Sequence, residues 1–477
     1  MNNQLPVNET KEKSFIIGGE NRIYWLILVL VAIGVAAGVI WMTRTTYEEV
    51  PLVIPEEKQI EAKLKIGVGY SINSQDLKTA VQETYTKMTE QLEGEKPVFA
   101  ILFSTVGYDQ EQILKEINLL MPGTKIYGYT STIGTMTNEG FHIGQEVTEG
   151  YTLGLMGFAS SEMTFGVGVA SLDEASSTFE VAKTAITRGI KDAGKSKDDK
   201  PKIVLITSAP FGIGEESVIA GLESVIGKEV PITGGVAGKK IDFSGGEAMF
   251  ANNKVYFNGV VAVPIYTDLK IGHVFLTGFN DTGKKGVVTK FKKDATGLHI
   301  VEIDHQPAAK VYNNWLDGLF DNYLGITDWF ITTSLFHPLA KKLTEVGGFV
   351  NWQIVAPIHF NPDDSLTVGA MVEEGNELYL LEGNQKAFID RIPLTVRLAR
   401  SQGRITEKEI AGVVMDQCMT ALIGTSGPDD WNAMAFSVDQ AAGGAPFLGA
   451  SSIGPYGYFL GNKYTEITVS AIIFSKN

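Results

Sequence analysis

The chain is short of the residue types from which catalytic and metal sites are most often built. It has one cysteine, Cys418, in 477 residues, which excludes an internal disulfide and any CxxC metal cluster. Its six histidines (His142, His273, His299, His305, His337 and His359) are scattered and form no HxxxH pair, so no zinc-type ligand spacing is present. Positive charge is scarce too. Forty Lys and Arg against 55 Asp and Glu leave a net charge of −15 and a pI near 5.0. That balance argues against nucleic acid and against docking on an anionic membrane surface. GYTSTIG and GASSIG are not the G-x-S-x-G elbow. APFGIG lacks the Lys-Ser/Thr of a phosphate-binding loop. No catalytic residue, metal or cofactor is therefore expected, and Cys418, in an apolar run, reads as a buried small hydrophobe.

What the sequence does have begins with an uncharged stretch. Ile23–Met42, IYWLILVLVAIGVAAGVIWM, carries no charge over 20 residues, the length that crosses a hydrocarbon core. Arg22 and Arg44 bracket it, and Tyr24, Trp25 and Trp41 sit at its ends, where amphipathic rings favour the interface. Trp41-Met42-Thr43-Arg44 offers no signal-peptidase site, so an uncleaved single-pass anchor is expected. Gly34 and Gly38 form a GxxxG that permits a close helix pair, hence a homodimer. Lys11, Lys13 and Arg22 against Arg44 and Lys58 favour the N-terminus inside and the large domain outside. Residues 1–22 read as a tail, and 43–60, with Pro51, Pro55 and Glu pairs, as an extended linker.

Beyond the linker one pattern recurs. Lys202–Gly238 reads as strand Ile203–Thr207, loop Ala209–Gly214, helix Glu215–Ile226 and strand Val230–Thr233, closing on Gly234-Gly235. Lys96–Gly134 repeats the order with strand Val98–Phe103, helix Gln110–Leu120 and strand Lys125–Tyr127. A third copy runs from Gly412 to Gly454, with an apolar run at Val413–Cys418 and a helix near Asp429–Ala442. The closing turns IYGYTSTIG, PITGGVAG and FLGASSIG are alike. Strand, loop, helix, strand is the βαβ unit, which favours parallel pairing. The predicted class is α/β, with mixed, mostly parallel sheets and antiparallel extensions after one transmembrane helix. Ser74 is expected to cap a helix over Asp76–Leu92, and Asp304-His305 reads as a solvated turn before Pro307.

Loops at the carboxyl ends of such strands commonly hold ligands, and backbone amides at helix starts suit carboxylates. The candidate ligand-binding residues are Ser104, Gly107, Thr130, Ser131, Ser208, Gly212, Gly234, Gly235, Ser451 and Ser452.

The order of elements and the signatures IGVGYSINSQDLKTA, IYGYTSTIG, PITGGVAG, VEIDHQPAAKVYNNWL, HPLAKK, MVEEG and GASSIGPYGYFLGNKYTEITVSAIIF resemble the FIST family. Glu302, Asp304, Pro307, Ala308 and Tyr312 fit its E-x-D-x-x-P-A-x-x-x-Y pattern. The resemblance implies an N-terminal module over 61–300 and a C-terminal module over 301–477. It also implies a sensor of a small, amino acid-like ligand acting in signal transduction. The family's usual description is intracellular, which opposes the orientation read from the charges. Two departures bear on the ligand: Lys239-Lys240 follow the second turn where the family often has acidic residues, and Met-Thr-Ala follows Cys418 where it often has Gly-Arg. No kinase, cyclase or methyl-accepting segment is seen, so output is expected to pass to a separate protein. The alternatives are a hydrolase that uses the glycine-rich strand-end loops, or a structural surface protein.

Overall fold

The computed structural model describes residues 62–143, 150–242, 244–325, 328–329, 334–346 and 349–477. Within them one pattern of elements is built three times. Unit one runs β1 (Leu64–Ser71), α1 (Leu77–Gln91), β2 (Phe99–Ser104), α2 (Gln110–Leu120), β3 (Lys125–Thr130), the hairpin β4 (Thr135–Thr137) and β5 (Gly140–His142), and β6 (Leu153–Ser160). Unit two repeats it with β7 (Met163–Phe165) and β8 (Gly168–Ala170), α3 (Thr178–Asp192), β9 (Ile203–Ala209), α4 (Glu215–Ile226), β10 (Ile232–Val236), the hairpin β11 (Met249–Ala251) and β12 (Lys254–Tyr256), and β13 (Gly259–Thr267). Unit three opens with β14 (Ile271–Thr277) and is then interrupted.

The interruption contains β15 (Asn280–Asp294), β16 (Gly297–Ile303), β17 (Gln306–Pro307), α5 (Ala308–Trp315), β18 (Asp328–Trp329), β19 (Leu339–Val346), β20 (Phe349–Val355), β21 (Pro357–Phe360), β22 (Leu366–Val368) and β23 (Glu377–Glu382). It forms an antiparallel sheet of its own. Unit three resumes with α6 (Gln385–Gln402), β24 (Ile410–Cys418), the short α7 (Met419–Ile423), α8 (Pro428–Ala441), β25 (Phe447–Ser452), the hairpin β26 (Pro455–Tyr458) and β27 (Asn462–Tyr464), and β28 (Thr468–Ser475). The expected module boundary at 300/301 falls inside β16.

Local chemistry accounts for the units. In α2, Asp109 caps the start by accepting from Gln112 N at 3.0 Å, and Ile113, Leu114 and Ile117 give the buried stripe. In α1 the cap is Asp76, which accepts from Lys78 N, and not the expected Ser74. The helix α4 is bounded by glycines in positive φ, Gly214 at 100° and Gly227 at 88°, a conformation that side chains disfavour.

Each unit's parallel pair is flanked by antiparallel strands, and each sheet ends in a hairpin lent by another unit. The hairpin of unit one joins β25, that of unit two joins β3, and that of unit three joins β10. The exchange is cyclic and closes the three units into a ring. Parallel pairing is confined to β2–β3, β9–β10 and β24–β25 among the described strands. The expectation of mostly parallel sheets is thereby corrected. A βαβ unit supplies one parallel pair, and every added strand here returns through a hairpin or an antiparallel closing strand. The inner faces of the three sheets share one core through Ile101, Leu205 and Val414, with Phe99, Phe158, Ile265 and Phe474 around them. Burying each such side chain contributes about 1.5–3 kcal/mol. The helices cover the outer faces.

Residues 62–477 form one compact unit. The expected membrane span Ile23–Met42, with Gly34 and Gly38, and the linker 43–60 lie outside the described residues. Among the described residues no helix is long and apolar enough to cross a membrane.

Candidate functional site

The three glycine turns meet at the centre of the ring. Thr130 Oγ1 donates to Gly238 O, and Gly238 N returns a bond to Thr130 O. Ser451 N donates to Ser131 Oγ at 2.7 Å, and Thr132 N to Ser451 O at 2.7 Å. Val236 N donates to Gly454 O, and Ile453 N to Val236 O. Backbone groups of each turn, with the Thr130 and Ser131 hydroxyls, thus bind the other two, while the Thr132, Ser451 and Ser452 hydroxyls are buried without a hydrogen-bond partner in these turns. Gly235 is required here, because a Cβ would fall 2.0 Å from Asp416 Oδ2 and 2.6 Å from Ser452 Cβ. Asp416 is buried at this hub. Burial pushes its carboxyl well above the usual range, and the Ser452 and Tyr129 hydroxyls offset only part of that.

The open space lies elsewhere. A cavity of about 450 Å³ separates the copy-two loop from the inserted sheet and is lined by Phe211, Gly212, Glu215, Glu216, Asp294, Thr367 and Tyr464, among others. An adjoining groove of about 970 Å³ shares Gly214, Glu216, Lys293 and Met371 with it and adds Lys341, Lys342 and Glu373. Glu215, the first residue of α4, is buried and accepts from Gly212 N at 2.6 Å. Burial pushes its carboxyl up, and the Gly212 N–H opposes this. Glu216 accepts from Gln353 Nε2 at 2.8 Å. Behind Gly369, Glu466 is driven up to about 8, first by burial and then by Glu215 and Glu216. Lys341 donates to Met371 O at 2.8 Å, and burial lowers its ammonium against the pull of Glu216 and Glu373.

On the sheet wall a polar chain runs through the cross-strand pair His299 and Thr367. Asp294 Oδ1 lies 3.3 Å from His299 Nε2, and His299 Nδ1 lies 3.0 Å from Thr367 Oγ1. Asn361 Nδ2 also donates to Thr367 Oγ1, at 3.1 Å. Thr296 Oγ1 lies 2.9 Å from His299 Nε2.

The ten residues singled out from the sequence divide between these places. Thr130, Ser131, Gly234, Gly235, Ser451 and Ser452 belong to the hub and its strand ends, away from the cleft. Ser104 donates to Gln110 Oε1 at 2.5 Å inside the copy-one loop, where Gly107 is half-buried. Ser208 pairs with Tyr456 OH at 2.8 Å. Gly212 alone lines the cavity, and its N–H already serves Glu215. Asp304 and His305 form the expected turn, both at positive φ. Cys418 is buried, and its thiol donates to Ile453 O. The residues missed from sequence are Glu215, Glu216, Glu466, Lys341 and the Asp294–His299–Thr367 chain. The Glu-Glu pair directly after Gly214 was the available signal, while nothing local marks Glu466.

No curated protein matched the chain. Among solved structures, a cyanuric acid hydrolase is 8% identical, aligns over 86% of this chain and 100% of its own, and gives a TM-score of 0.33. The cyanuric acid hydrolase of A. caulinodans is 9% identical over 45% of this chain and 72% of its own, at 0.26. Phosphoribosylformylglycinamidine synthase II of Thermotoga maritima is 9% identical over 87% and 74%, at 0.21. All three scores lie below the range of a shared fold. The expected C-terminal module has only its first residues inside the matched family segment. Residues 98–306, from the start of copy one to the first strands of the inserted sheet, match the family model described as the FIST N domain.

Proposed function

We propose that the chain is a sensory module that binds a small, amino acid-like molecule without transforming it. The cleft between the copy-two loop and the inserted sheet is the site. The observation that carries this reading is the meeting of opposite charges around one opening. Glu215 and Glu216 stand on the α4 side, with Lys293 and Lys341 on the sheet side. A zwitterion presents an ammonium and a carboxylate close together, and such walls pair both at once. The FIST N match supports the sensory part. Anchorage through Ile23–Met42, an outward-facing domain, helix pairing at Gly34 and Gly38, and a separate output protein belong to the same proposal.

Calorimetric titration of the full chain with the common amino acids tests it. A saturable hit is expected, weakened about tenfold or more by Lys341→Met and by Glu216→Gln, since a charged hydrogen bond contributes about 1.5–3 kcal/mol. A hit indifferent to both substitutions removes the site from the cleft. No saturable hit at all sinks the ligand reading.

One observation favours the hydrolase alternative, which is the Asp294–His299–Thr367 chain beside the same cavity. In that reading His299 takes the Thr367 proton as its oxygen attacks an acyl carbon. The Asn361 contact competes, because it engages the oxygen that would attack. Incubation with p-nitrophenyl acetate followed by peptide mass spectrometry decides: an acetyl group on Thr367, absent in Thr367→Val, establishes the enzyme, and an unmodified Thr367 with background hydrolysis dismisses it.

A further inference from the structure

We propose that the cavity holds a cation subsite at its Gly369 edge, in which a ligand ammonium settles among Glu215, Tyr464 and the Glu466 carboxyl behind Gly369. The inference rests on the binding reading above and assigns the end of the ligand that enters first.

Three observations converge. Glu466 is 9% exposed and has no hydrogen-bond or ion-pair partner among the described residues. The Tyr464 hydroxyl, on a side chain 3% exposed that lines the cavity, has no partner either, although it lies in the field of both Glu466 and Glu215. Gly369, also in the lining, leaves the Glu466 carboxyl uncovered, since a Cβ there would fall 2.5 Å from both oxygens. Buried polar groups normally find partners, so a hydroxyl left bare on the cavity wall and an acceptor left bare just behind Gly369 point to an occupant that donates.

The charges of the surrounding elements fix the sign. From α4, Glu215 and Glu216 repel a second anion. From β19, Lys341 is bound to Met371 O, and from α6, Arg391 donates to Ile467 O. Lys463, at the start of the same segment, faces the other way, onto Asn351 and Trp352 O. Asp294, His359 and the exposed Lys293 stand on the opposite wall, and Cys418, kept as a thiol by burial, lies behind. With no cation spent on it, and with burial and two carboxylates against it, Glu466 keeps its proton in neutral water. An arriving ammonium reverses that balance. Its N–H groups donate to the Glu466 carboxylate, and the displaced proton leaves to water, so charge and atoms balance at one proton released per ammonium bound.

The test uses n-propylammonium chloride on the full chain, with n-propanol as the uncharged control. Titrations from pH 6 to pH 9 at fixed ionic strength are expected to show Kd falling about tenfold per pH unit and levelling near the pH where Glu466 ionises. Parallel titrations in buffers of different ionisation enthalpy count the released proton directly, without any variant. Glu466→Gln is expected to bind weakly, release no proton and lose the pH dependence, with its thermal melt reporting its folding. Binding without proton release, release unchanged in Glu466→Gln, or no binding at pH 9 overturns the inference. Amino acids that bind while propylammonium does not overturn this inference alone. Propylammonium binding with proton release while every amino acid fails overturns the amino acid reading and leaves the subsite standing.

Discussion

Lys463→Met is predicted to stabilise the chain in mild acid and to destabilise it in alkali. Lys463 is nearly fully buried, and burial lowers its ammonium from 10.5 to about 7. That displacement corresponds to roughly 5 kcal/mol of differential interaction, at about 1.4 kcal/mol for each tenfold change in proton affinity. Below about pH 7 both folded and unfolded chains carry the proton, and the folded state bears the whole penalty. Between about 7 and 10.5 the folded chain gives up a proton that the unfolded chain keeps, so this contribution to stability rises with pH. Methionine removes the penalty but also removes the bonds to Asn351 Oδ1 and Trp352 O, the latter 2.9 Å long. Those losses cost about 1–2 kcal/mol each. The variant is therefore expected to be about 1–3 kcal/mol more stable at pH 6 and less stable than the parent above pH 9. Urea melts of both proteins across that range measure the difference, and groups common to both cancel in it. A difference that stays constant with pH contradicts the prediction, because it means that Lys463 keeps its proton in the folded state.

The hub gives three further expectations. Gly235→Ala drives a Cβ into Asp416 and Ser452 and is expected to cost about 3 kcal/mol by thermal melt, at the upper end for overpacked cores. Ser131→Ala removes the acceptor of Ser451 N and is expected to cost about 1–3 kcal/mol while leaving ligand Kd unchanged in titration. Asp416→Asn is expected to flatten the pH profile. The parent carboxyl is held above its unfolded range, so its contribution is full below that range and is lost as pH rises toward the folded value. Melts from pH 5 to pH 9 that decline equally in both proteins contradict this.

The helices Gln110–Leu120 and Glu215–Ile226 were legible to the residue, because apolar spacing, caps and following glycines all act within a few residues. The share of parallel pairing was not legible. It depends on pairs such as Gly234 with Tyr456 and Met249 with Tyr129, each joining segments more than 100 residues apart, and no local pattern encodes such partners. The three closing turns are alike in sequence, and in the structure each presents backbone groups to the other two around the ring. The cleft was hidden for a related reason. Glu215 and Glu216 looked like the first turn of a helix, and Glu466 reaches them only after the last hairpin has crossed into the sheet of unit two.

The most direct test of the account is a thermal-shift titration of the full chain with amino acids, run beside Glu216→Gln and Ser131→Ala. A ligand at 100 times its dissociation constant stabilises the folded state by about 2.7 kcal/mol. The account predicts a saturable rise in Tm that needs at least tenfold more ligand in Glu216→Gln and the same ligand concentration in Ser131→Ala. A rise lost in Ser131→Ala and kept in Glu216→Gln would return the site to the glycine turns, and no rise with any amino acid would contradict the sensor reading itself.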